Sequence, residues 1–107
     1  MPPTEYAAPT MATLSDAQIR AALAELPGWT YFGNALHKEF RYRGFRAAIA
    51  FINRVAEQAI AAAHHPDIES HYDRVILSLT TSDEGGVTAK DLDLARAIDR
   101  VAQPPDA

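Results

Sequence analysis

Two adjacent histidines, His64 and His65, close a long alanine-rich stretch immediately before Pro66 and Asp67. Ser70, His71 and Tyr72 follow within a few residues. An unperturbed imidazole has a pKa of about 6.5, so it gives or takes a proton near neutral pH. Pro66 has no backbone N–H and forbids helical continuation, which puts both imidazoles at a helix end. Two readings fit: a proton-transfer pair, or a polar terminus where a cationic imidazole complements the helix dipole. Downstream lies the polar run Thr80-Thr81-Ser82-Asp83. With His64 or His65 and Tyr72 it would surround a pocket where the long helix and a fourth strand end. Imidazole, aromatic ring and backbone donors together suit a neutral, flat, heteroatom-rich ligand.

Other chemistries find less support. The chain has no cysteine, which excludes disulfides, thiolate ligands and a thiol nucleophile. No serine stands in a Gly-x-Ser-x-Gly elbow. Gly85-Gly86 precedes a helix but lacks the spacing of a phosphate-binding loop. Neighbouring His64 and His65 point different ways, and His71 lies on the strand face opposite Tyr72, so no metal site is expected. Net charge of −4 without a Lys/Arg cluster argues against nucleic acid as a partner. No apolar run reaches the roughly 18 residues of a membrane span, and the start lacks signal-peptide character. The expected location is the cytoplasm.

The elements that must hold these residues follow from periodicity. Residues 1–13 carry three prolines and no apolar pattern, and read as a flexible leader, with Met11 an alternative start. Ser15 is placed as an N-cap, Gln18 as its capping-box partner and Leu14 as a hydrophobic staple. The first helix carries Ile19, Leu23 and Leu26 and stops at Pro27-Gly28. Residues 29–32 predict a strand and Gly33-Asn34 a tight turn. A second strand over 35–43 puts Leu36, Lys38, Phe40 and Tyr42 on one face and His37, Glu39, Arg41 and Arg43 on the other.

Residues 45–63 form the longest helical pattern. Its apolar stripe runs through Phe45, Ile49, Ile52, Val55, Ala56, Ala59, Ile60 and Ala63. A second strip through Ala47, Ala50, Phe51 and Ala61 makes the helix wider than one sheet face requires. A subunit contact and good helix formers at surface positions both account for that width. Period two returns in Ile68, Ser70 and Tyr72, then in Val75, Leu77 and Leu79. Thr88 caps a last helix with Asp91 at the capping-box position, and residues 103–107 read as a frayed end. The result is one α+β domain over residues 14–102, in the order helix, two strands, helix, two strands, helix, with antiparallel strands that are wet on one face and covered on the other.

With these residues assembled, the chain resembles the pterin-4a-carbinolamine dehydratases over almost all of that domain. The resemblance is carried by residues 38–42, Phe45, Arg54-Val55-Ala56, His64-His65-Pro66-Asp67, Tyr72-Asp73-Arg74-Val75, Leu79-Thr80-Thr81 and residues 85–91, then Leu94-Ala95 and Ile98. It implies a four-stranded antiparallel sheet with three helices packed on one face, assembly as dimers or tetramers, and a reaction that needs no metal or organic cofactor. In that reaction a 4a-hydroxytetrahydropterin loses water to give a quinonoid dihydropterin. The resemblance assigns catalysis to His64 and His65, and substrate contacts to Tyr72, Thr81, Ser82, Asp91 and Ser70. It also exposes departures. The family usually has a third histidine where Ser82 stands, often an acid at Ile60, a tryptophan at Ile68 and an asparagine at Ser70. A serine hydroxyl neither takes nor gives up a proton readily at neutral pH, so a three-histidine relay is broken, or His71 must substitute from the other strand face. The resemblance also implies a second possibility, a dehydratase-like fold used as a dimerisation or assembly factor for another protein.

Overall fold

The computed structural model describes residues 12–102; all but the last two residues of the proposed leader over residues 1–13, and the C-terminal residues 103–107, lie outside them. The elements run α1 (Asp16–Leu23), β1 (Thr30–Phe32), β2 (Ala35–Arg41), α2 (Phe45–Ala62), β3 (Asp67–His71), β4 (Arg74–Leu79) and α3 (Ala89–Val101). A short 3₁₀ turn, Ser82–Glu84, precedes α3. The four strands form one antiparallel sheet in the order β1-β2-β4-β3. This is the α+β fold that the alternating patterns predict. Among the described residues no helix is long and apolar enough to cross a membrane.

Local chemistry sets the boundaries. The Ser15 hydroxyl accepts from the Gln18 N–H at 3.1 Å, and the Gln18 carboxamide oxygen accepts from the Ser15 N–H at 2.8 Å. That reciprocal box starts α1. The helix ends at Leu23, a turn earlier than the apolar pattern suggests, and Leu26 is buried in the turns that follow. Gly33 and Asn34 both take positive φ, 58° and 62°, as a two-residue hairpin requires for its turn to match strand twist. In the sheet, Leu36 pairs with Leu79, Lys38 with Leu77 and Phe40 with Val75, on the face turned to the helices. The opposite face pairs His37 with Ser78, Glu39 with Ile76 and Arg41 with Arg74, and stays largely wet. β2 stops at Arg41, short of the expected Arg43, yet Tyr42 keeps its inward face and is buried.

The long helix departs from expectation. Its fully covered line is Ala48, Phe51, Val55 and Ala59, where Phe40 and Tyr42 of the sheet side pack on the Phe51 ring. The predicted stripe is largely a second, outward line: Phe45 is 53% and Ile60 72% exposed, and Ile49, Ile52 and Ala56 are half-buried. Hydropathy alone could not rank two apolar lines on one helix. The third strand also differs, since all five residues of β3 are exposed and Tyr72 is no strand residue. Tyr72 occupies the β3–β4 turn with φ 56°.

Candidate active site

Three chain segments converge where α2, β4 and the start of α3 meet. The first is the end of α2. Ala63 takes a left-handed conformation, φ 53°; its N–H donates to the Ile60 carbonyl and that of His64 to the Ala59 carbonyl, both at 3.1 Å. This is a Schellman closure built on alanine, where glycine is usual and a side chain costs about 1 kcal/mol. It breaks the helix so that His64 turns inward, its side chain 10% exposed, while His65 stays exposed.

The second segment begins α3. The Thr88 hydroxyl accepts from the Lys90 N–H at 3.2 Å, and Asp91 Oδ2 accepts from the Thr88 N–H at 2.9 Å. Asp91 is fully buried, which is costly for a carboxylate unless donors surround it. It has them. Oδ2 also accepts from the Thr81 hydroxyl at 2.8 Å, and Oδ1 lies 2.5 Å from His64 Nε2. Since the Thr81 proton goes to Asp91, the 2.8 Å contact between Thr81 and Thr88 oxygens has Thr88 as donor. With Asp91 as the acceptor, His64 donates from Nε2 and leaves Nδ1 without a hydrogen-bond partner among the described residues.

The third segment, Thr80 to Asp83, forms the remaining wall. Ala63, His64, His65, Thr80, Thr81, Ser82, Asp83 and Lys90 together line a cavity of about 250 Å³. His65 has no hydrogen-bond partner among the described residues, so its ring is free to meet a ligand. Among the described residues no group of three or more His, Cys, Asp and Glu converges to hold a metal.

The sequence-derived residues separate into two groups. His64, His65, Thr81 and Ser82 share the cavity, and Asp91 lies directly behind His64. Tyr72 and Ser70 do not join them within this chain. Tyr72 stacks on Phe45 at 6.3 Å, at the opposite end of α2, about 27 Å of helix away. Ser70 pairs across the sheet with Val75 and is exposed. Ile60 and Ile68 are likewise absent from the cavity wall, so their departures from the family pattern do not alter it. His71 sits 3.3 Å from Glu69 on the exposed strand and does not replace the histidine missing at Ser82. Lys90 was not anticipated. Nothing in the local pattern marks it except its charge at a helix start.

Fold and site together define a small α+β protein with a carboxylate-anchored histidine and a second, partner-free histidine in one polar cavity. A family model, Pterin 4 alpha carbinolamine dehydratase, matches residues 12–101, and the chain belongs to this family. It is 50% identical over 92 residues to a protein of Thermomicrobium roseum provisionally named pterin-4-alpha-carbinolamine dehydratase, covering 86% of this chain and 99% of that one. A similarly named protein of Roseiflexus is 53% identical over 92 residues, covering 85% and 99%. Among solved structures, a transcriptional coactivator/pterin dehydratase from Brucella melitensis superposes with a TM-score of 0.81 at 31% identity, covering 85% of this chain and 99% of that one. A pterin dehydratase-like RuBisCO assembly factor shares the fold alone, with a TM-score of 0.57 at 20% identity over 69% of this chain and 86% of that one.

Proposed function

We propose that the protein dehydrates 4a-hydroxytetrahydropterins by general acid–base catalysis between His64 and His65. The supporting observation is the 2.5 Å contact from His64 Nε2 to buried Asp91, beside a partner-free His65 in the same cavity. In the reaction the C4a–O and N5–H bonds break, the C4a=N5 bond forms and water departs. His64 Nδ1 accepts the N5 proton, and Asp91 stabilises the imidazolium that results. His65 donates a proton to the departing hydroxyl, and solvent then restores both rings. Ser82 contributes a hydrogen bond and no proton. Such catalysis supplies typically 10²–10⁴-fold. Mixing purified protein with a freshly generated 4a-hydroxytetrahydropterin tests this; dehydration no faster than the spontaneous reaction overturns it.

The outward line of α2 favours a second, compatible reading. Phe45, Ile49, Ile52, Ala56 and Ile60 recur at spacings of four, three, four and four, which form a seam for another helix. This seam supports assembly as a homodimer or homotetramer. It equally fits the role of coactivator that the Brucella relative's description carries.

A further inference from the structure

Lys90 lines the cavity, yet its side chain makes no hydrogen bond among the described residues and has no part in the proton transfer proposed above. It is the second residue of α3, where a positive side chain opposes the helix dipole rather than complementing it. Its neighbour Asp91 has the sign that a first turn favours. Among the described residues Lys90 has no ion-pair partner, although Asp83 lines the same cavity. A lysine in that place gives the fold nothing through charge, and its backbone N–H alone serves the cap. It does give the cavity a lasting positive charge and a donor with no acceptor capacity. The Thr80 hydroxyl already donates to the Asn34 carbonyl at 2.8 Å and that of Thr81 to Asp91, Ser82 can donate or accept, and both histidines are committed to proton transfer.

We propose that Lys90 is a substrate-binding residue whose ammonium donates to a carbonyl oxygen of the ligand, the pyrimidinone oxygen of a pterin. This rests on the reading of the cavity as a pterin site. It makes the cavity selective for rings that present an exposed carbonyl acceptor. Lys90 takes no part in the proton inventory, which the two histidines complete between them.

Binding and stability should move in opposite directions. Calorimetric titration of the full chain with 7,8-dihydrobiopterin is expected to show Kd about tenfold weaker for Lys90→Met, the loss of one charge-assisted hydrogen bond. Lys90→Arg is expected to retain affinity within about threefold. The Tm of Lys90→Met should be equal to or above that of the wild type, because the conflict with the dipole is gone. Turnover should follow as a rise in KM with kcat little changed. Wild-type affinity in Lys90→Met overturns the assignment while leaving the pterin site standing, as does a lowered Tm with Kd unchanged. Absence of binding by the wild type itself overturns the pterin reading and this assignment together.

Discussion

Asp91 shows how one residue can serve both folding and chemistry. The same carboxylate closes the capping box of α3, accepts from Thr81 and holds His64 by one nitrogen. Replacing it with asparagine keeps the size but turns one of its oxygens into a donor. Turned toward Thr88 the new donor meets the Thr88 N–H, and turned toward His64 it forces the imidazole into its other tautomer, in a place water does not reach. Asp91→Asn is therefore expected to lose roughly 1–3 kcal/mol of stability. It should also lower dehydration, because the His64 tautomer is no longer fixed. A urea titration beside a rate measurement checks both. His64→Asn should spare most of the stability loss yet not the rate loss, which separates the two duties.

At the scale of elements, the ends of α3 and β2 are tied by Tyr42, whose hydroxyl donates to the Ala102 carbonyl at 2.8 Å. Arg54 Nε adds a second bond to the neighbouring Val101 carbonyl at 2.7 Å. Burial raises the Tyr42 pKa above its ordinary value of 10.0, against a smaller lowering by Arg54. The folded state thus favours the neutral phenol. Its stabilisation is complete below the unfolded value and disappears as pH climbs through the raised folded value. Tyr42→Phe should cost about 1 kcal/mol near neutral pH and lose less than the wild type on moving to about pH 11.5. Urea midpoints at the two pH values test this.

Local relations of this kind were legible in the sequence. Both capping boxes involve residues three apart, and the alternation in β2 and β4 reports one buried face directly. The turn at Tyr72 was not, because no glycine or asparagine marks its left-handed backbone. Nor was the contact of His64 with Asp91, 27 residues apart, though each residue was marked separately. Lys90 joins the site only through the meeting of three segments. The core line of α2 was assigned only in part, with Val55 and Ala59 covered as expected, because apolar residues occupy two lines and only the sheet decides which is covered.

For the whole molecule, the uncovered line of α2 is the feature a single chain leaves unexplained. Phe45 and Ile60 are exposed at its two ends, and Tyr72 extends the patch by stacking on Phe45. Sedimentation of the wild type should give a dimer or tetramer, and Ile60→Lys should shift it toward monomer. Because Ile60 is 72% exposed within one chain, the substitution should change monomer stability by less than about 0.5 kcal/mol. A monomeric wild type would contradict self-association and leave the seam to a different protein.

The central claim concerns the cavity, where proton transfer requires both an anchored and a free imidazole. Its most direct test is the initial rate of quinonoid dihydropterin formation from 4a-hydroxytetrahydropterin, with wild type, His65→Ala and no protein compared under one condition. His65 is exposed and partner-free, so its removal should leave the fold intact. The expected result is clear acceleration by the wild type and a return to the spontaneous rate in His65→Ala. Equal acceleration by both proteins, or none by either, would contradict the account.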